Sequence, residues 1–188
     1  MSYLIGVDLG TSGTKTVLFD QAGQPLASAT VEYPLYQPQN GWAEQDPEDW
    51  WRAAAETIRR VLAASGADPS QVAGLGISGQ MHGLVMLDGQ GQVLRRSILW
   101  CDGRTSQECA EITQAVGPQR LIQLSANPAL TGFTAGKILW VRRHEPALYE
   151  KCRQILLPKD YVRYKLTGVY ASEVSDASGT NLLDVPGR

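Results

Sequence analysis

The stretch from Tyr3 to Asp20, YLIGVDLGTSGTKTVLFD, restricts the fold more than any other: two apolar runs flank a glycine-rich turn, and one carboxylate lies inside the first run. Leu4 to Leu9 is short, apolar and interrupted by Gly6, so it reads as a buried strand, and Lys15 to Phe19 reads as its hairpin partner across Gly10 to Gly13. Asp8 is then the feature to explain, because an unpaired carboxylate is costly to bury and calls for a cation, donors or water. The adjoining turn indicates which. Gly10 and Gly13 are suited to positive φ and leave no Cβ in the way of an approaching group, while Thr11 and Ser12 offer hydroxyls and backbone N–H groups to the same concavity. A turn of this kind holds phosphate oxygens. Mg²⁺ keeps several waters and takes only one or two protein carboxylates, so one Asp beside such a cradle is sufficient. A solvated Asp next to an ordinary turn is the plainer alternative.

Two other phosphate motifs are excluded. A Walker A loop needs Gly-Lys-Ser/Thr opening a helix, whereas Gly13-Thr14-Lys15 runs into a β-branched strand. Gly74-Leu-Gly-Ile-Ser-Gly79 spells the dinucleotide fingerprint, but Val72 to Ser78 looks like the strand itself and no helical pattern follows.

The 188 residues suit one domain with a sizeable core, and 43% apolar and 19% charged residues are ordinary globular values. A formal charge of −2 gives no electrostatic case for nucleic acid or a membrane surface, so a small polar ligand fits better. Cys101, Cys109 and Cys152 lack metal-ligand spacing and read as reduced thiols. With no membrane span and no signal-peptide pattern at the start, a cytoplasmic protein is expected.

Along the chain, Pro25 to Tyr33 is expected to add a third strand, making a meander. The run from Val17 to Leu26 is echoed by Val85 to Leu94, which predicts two hairpins of one turn type. Asp46-Pro-Glu-Asp49 announces a helix to about Ala64, with Trp50, Ala54, Ile58, Val61 and Leu62 on one face. Val72 to Ser78 then returns to the sheet, the α/β pattern. Gln80-Met-His-Gly83 leaves that strand where α/β folds place ligands, although a lone His82 reads more readily as structural. Trp100 is favoured as core on chemistry alone; at a sugar pocket its ring would face C–H groups while Asp102 and Arg104 bonded hydroxyls, and Arg104 reads equally as an internal salt-bridge partner. Thr105 to Val116 reads as a helix closed by Gly117, and Thr134 as the N-cap of a helix ending before Pro146. Within it Trp140 reads as core and Lys137 as a solvated structural cation. Gln154 to Leu157 reads as a strand, Pro158 to Gly168 as a helix, and Glu173 to Thr180 as turn and cap formers.

Several of these stretches carry a family resemblance. Gly6-Val-Asp-Leu-Gly-Thr-Ser-Gly-Thr-Lys15 resembles the first phosphate hairpin of the FGGY sugar kinases, members of the actin-like ATPase (ribonuclease H-like) fold. Gln80-Met-His-Gly83 resembles the substrate loop of that family's xylulokinase branch, at the position where glycerol kinases carry an Arg-Glu pair. Leu99-Trp-Cys-Asp-Gly-Arg104 is similar to that branch's Leu-Trp-x-Asp-x-Arg stretch, and Gly132 to His144 fits the first family signature with Lys137 and Trp140 in place. Pro158-Lys-Asp-Tyr161 matches a further family stretch, and Glu173 to Thr180 resembles a segment lying close to the cleft.

The resemblance implies an α/β domain whose mixed sheet opens with a three-stranded antiparallel meander and carries helices on both faces. It implies ATP-dependent phosphorylation of D-xylulose to D-xylulose 5-phosphate with ATP and Mg²⁺. On the nucleotide side it points to Asp8, Gly10, Thr11, Ser12, Gly13, Thr14 and Lys15, with Asp8 towards the metal; on the sugar side it points to Gln80, Met81, His82, Trp100 and Asp102. It covers essentially all 188 residues but only the front of the family's two-domain chain. Residues 1–188 are therefore expected to be an N-terminal domain whose partner is a missing C-terminal, ATP-binding domain. The catalytic Asp is expected beyond residue 188, none of Asp102, Asp160 and Asp176 matches it, and the polypeptide alone is expected to have negligible kinase activity. The competing readings are a free-standing sugar sensor, a kinase of another pentulose or polyol, and a chaperone or filament ATPase, which the loop from Gln80 to Gly83 argues against. A homodimer is left open.

Overall fold

The computed structural model describes residues 2–188. Strands β1 (Tyr3–Leu9), β2 (Gly13–Phe19) and β3 (Pro25–Glu32) form the expected antiparallel meander. A two-residue strand β4 (Glu44–Gln45) precedes helix α1 (Pro47–Ser65), and β5 (Val72–Gly79) then pairs parallel to β1, giving the order β3-β2-β1-β5. Asp46 caps α1 by accepting from the N–H of Glu48 at 3.0 Å, and Gly66 at φ 67° closes it in the left-handed conformation.

Strand alternation decides what the two sheet faces carry. Ile5, Val7, Leu9 and Leu18 are buried beneath α1 with its Trp50, Ala54 and Val61. Each large apolar side chain buried there contributes roughly 1.5–3 kcal/mol. The opposite face carries Leu4, Asp8 and Ser78, all exposed. Helix α1 packs on the β1–β3 meander and, further on, α6 (Pro158–Thr167) packs against β5. Within the described residues α1 and α6 cover the Ile5 face, and the mixed sheet with its antiparallel meander and helices is the expected α/β arrangement.

The remainder builds a second, smaller core. Strands β6 (Val85–Leu87), β7 (Ser97–Ile98) and, later, β8 (Gln154–Leu156) form two short ladders, β4 with β7 and β6 with β8. Helices α2 (Ser106–Val116), α3 (Pro118–Ser125), α4 (Thr134–His144) and α5 (Pro146–Lys151) surround them, and α7 (Val174–Ala177) follows α6. Leu84, Met86, Ile98, Trp140 and Val141 make its centre, so Trp140 is a core residue as expected.

The echoed sequences form one turn type. Asp20 Oδ1 accepts from Ala22 and Gln24, Asp88 Oδ1 from Gln90 and Gln92, and Gly23 and Gly91 take φ of 78° and 75°. The dinucleotide-like glycines lie within β5 itself and no helix follows them directly.

Candidate active site

The turn between β1 and β2 is held from behind by its carbonyls. Tyr33 donates its hydroxyl to Gly10 O, Gln45 donates its amide to Thr11 O at 2.6 Å, and the N–H of Tyr33 reaches Ser12 O at 3.4 Å. Burial pushes the Tyr33 phenol up to about 12, so it is a fixed donor at neutral pH. With the carbonyls drawn back, the N–H groups of Thr11 and Ser12 have no acceptor among the described residues. That is the polarity of an anion cradle.

The glycines serve a different purpose from the one expected. Neither Gly10 nor Gly13 has positive φ. Gly13 is required because β3 passes so close that a Cβ would meet Val31 O at 2.8 Å. Strand alternation also corrects Thr14, which is fully buried on the α1 side with its hydroxyl 3.5 Å from that of Tyr33, and so does not face the cradle. Asp8 and Lys15 sit opposite one another on the exposed face. Among the described residues no hydrogen bond or ion pair engages the Asp8 carboxylate.

Gln45 was not legible as a site residue, yet it joins the parts. Fully buried at the end of β4, its Oε1 accepts from Trp50 Nε1 and from Gln80 Nε2, each at 3.0 Å, while its amide holds the turn. Gln80 is itself 6% exposed, so its side chain braces the site from within.

The loop after β5 lies beside the turn, since Leu9 and Gly79 are register partners and the N–H of Gln80 donates to Leu9 O at 2.7 Å. Met81 is exposed. His82 takes φ 62°, a left-handed conformation unusual for a residue with a side chain. Its ring meets Phe133 edge-on at 4.7 Å and lies on the backbone of Gly179, where any Cβ would strike it at 2.1 Å. Burial holds the imidazole below its ordinary value; Asp176 opposes this and Lys137 adds to it. It is therefore neutral at pH 7. Met81, His82, Ser78, Lys159, Glu173 and Asp176 line an open cleft of about 540 Å³. Lys159 bridges Asp176 at 2.5 Å and Glu173 at 3.0 Å, and burial, which lowers its ammonium, is outweighed by these carboxylates. Buried Oδ1 of Asp176 and Nδ1 of His82, both on residues that line this cleft, have no hydrogen-bond partner among the described residues, which suits a ligand or water there.

Trp100, favoured as core on chemistry alone, is 40% exposed and donates Nε1 to the Thr11 hydroxyl. It ties the segment after β7 to the turn.

The sequence from residue 3 to 188 matches the family model described as the FGGY family of carbohydrate kinases, N-terminal domain. The chain belongs to the FGGY family of carbohydrate kinases. Its relatives include a xylulose kinase from Bacillus subtilis, 46% identical over 98% of this chain, and one from Escherichia coli, 47% identical over 98%. Each match covers 37% of the relative, so the chain spans little more than a third of their length. A crystal structure titled as a xyloylose kinase from Brucella ovis superposes with a TM-score of 0.92 at 42% identity, covering 97% of this chain and 38% of that one. Such neighbours are FGGY sugar kinases of the actin-like ATPase fold.

Within this FGGY domain Asp102 is corrected. Its side chain is buried; it accepts from the N–H of Ala43 at 2.6 Å and from three nitrogens of Arg104 at 2.7–2.9 Å. Arg104 in turn bridges Glu44 at 2.8 Å and stacks 3.7 Å over Trp42. The pair is internal framework and leaves no oxygen for a sugar. Thr134 is also corrected, being the first residue of α4 with Phe133 in the cap position. Lys137 is not solvated: it is fully buried, with Nζ on the carbonyls of His82 and Gly132. Tyr33 and Gln45 carried no motif signal and Lys159 only its place in the Pro158-Lys-Asp-Tyr161 stretch, because the importance of all three arises from partners distant in sequence.

Proposed function

We propose that this chain is the phosphate-cradling and acceptor-binding part of an ATP-dependent kinase that phosphorylates D-xylulose to D-xylulose 5-phosphate, in the cytoplasm, with the remaining length of the relatives supplying a second, ATP-binding domain. The observation that carries this reading is that the Thr11–Ser12 turn and the Gln80–Gly83 loop leave neighbouring strands at the same end, with Leu9 beside Gly79. Phosphoryl transfer depends chiefly on bringing donor and acceptor together and on neutralising phosphate charge, and this juxtaposition serves both. The xylulose kinases among the relatives support the choice of sugar.

Asp8 fits Mg²⁺, since its exposed carboxylate is a hard oxygen donor beside Ser78, a residue that lines the cleft, and has no protein partner among the described residues. ATP supplies the phosphoryl group and Mg²⁺ offsets its charge. The N–H groups of Thr11 and Ser12 bind phosphate oxygens, and the Lys15 ammonium adds positive charge on the same face. Met81 and the ring of Trp100 present apolar surface to the sugar's C–H groups, and the neutral His82 imidazole bonds a hydroxyl. No base is assigned here: Asp102 is locked to Arg104, Asp176 is bound by Lys159, and Asp160 is buried at the start of α6.

The test is ADP formation by the full-length polypeptide that contains this chain. D-Xylulose should be turned over faster than D-ribulose or glycerol, and Asp8→Asn should remove Mg²⁺-dependent turnover. Equal rates with all acceptors, or full activity in Asp8→Asn, would overturn the assignment.

A further inference from the structure

His82 is held in a conformation that a residue with a side chain avoids, and a segment strained in this way persists only where its surroundings fix it. Two donors from one turn of α4 fix it here. Lys137 Nζ donates to His82 O at 2.8 Å and Thr134 Oγ1 donates to the same oxygen at 3.1 Å. Lys137 also holds Gly132 O at 2.6 Å, next to Phe133, whose ring flanks His82. A fully buried lysine spent on two carbonyls is a costly way to stabilise a fold, since a buried ammonium with no carboxylate in contact is strongly desolvated.

We propose that Lys137, with Thr134, is the positioning residue of the acceptor loop: it holds the His82 carbonyl, and through it the left-handed turn that presents Met81 and the His82 ring to the sugar. This rests on the reading of residues 80–83 as the acceptor loop. The groups around Lys137 agree with a role in aiming the loop. Burial draws its ammonium down to about 7, while Asp102, Cys101 and Cys109 act in the other direction and Arg104 adds to the lowering. A neutral amine keeps enough N–H donors for both carbonyls, so the clamp survives deprotonation.

The experiment compares Lys137→Met, Thr134→Val and, as a control for lost stability, Val61→Ala in the α1 core, all in the full-length polypeptide. Lys137→Met should raise the KM for D-xylulose about tenfold, Thr134→Val by a few-fold, and both should leave the KM for ATP unchanged. Val61→Ala should change neither. A second readout does not depend on the sugar. The chain has two histidines, so these 188 residues give two imidazole Hε1 signals by NMR. In Lys137→Met the His82 signal should move and its titration midpoint should rise towards 6.5, with Lys159, Glu173 and Asp176 unchanged around it, while the His144 signal stays in place. Should Lys137→Met fail to fold, Thr134→Val carries the same two readouts with smaller shifts. An unmoved His82 signal overturns the proposal. A moved signal with an unchanged D-xylulose KM overturns the acceptor-loop reading and leaves the clamp.

Discussion

Trp100 Nε1 donates to the Thr11 hydroxyl across 3.1 Å although 89 positions separate them, which ties the segment after β7 to the tip of the first hairpin. Replacing Trp100 with Phe keeps an apolar ring and removes the donor. The net loss should be about 0.5–1.5 kcal/mol, read as a several-fold fall in kcat/KM for the full-length polypeptide. Trp100→Ala should lose more, because the wall disappears with the bond.

The space around the glycines separates two substitutions. Gly13→Ala places a Cβ 2.8 Å from Val31 O and should destabilise by about 1–3 kcal/mol in urea unfolding. Gly76→Ala meets nothing within 4 Å and should be neutral, or stabilising by about 0.4–1 kcal/mol. Equal effects would show that backbone crowding does not set the register of β2 on β3.

Asp102→Asn tests framework against ligand. Removing the charge leaves Arg104 buried against Glu44 alone, and breaking one partner of such a pair costs about 3–5 kcal/mol. The expected result is a large drop in unfolding free energy. A variant of undiminished stability with weakened sugar binding would restore Asp102 to the site.

Lys137 gives the fold a pH signature. Its folded-state value of about 7 lies below the ordinary 10.5, so between these values the unfolded chain binds more protons and stability rises with pH. Below about pH 7 both states are charged and the slope ends. The three cysteines, whose thiols burial pushes up, act oppositely above pH 9. The stability of the parent chain relative to Lys137→Met should therefore rise from pH 7 to 9, measured by urea unfolding of each. A difference that is constant with pH would mean that Lys137 keeps an ordinary proton affinity.

The sequence by itself determined the local elements and the family. Apolar alternation and turn residues specify β1 to β3, Asp46 and Pro47 start α1, and the paired Asp-Gly turns are legible because each is closed by groups within a few positions of one another. The place of Asp8 in β1 and of the Thr11–Ser12 turn between β1 and β2 was legible from the strand pattern, although Tyr33 and Gln45 hold that turn from far along the chain. What only the tertiary structure decided are the roles that depend on partners far along the chain. It buried Asp102 against Arg104 and Ala43, turned Thr14 under Tyr33, brought Trp100 out to Thr11, made Gln45 the junction of three elements, and set Lys137 on the carbonyl of His82. A side chain's chemistry is written in the sequence, but whether it meets water, a ligand or another residue depends on packing that no single stretch encodes.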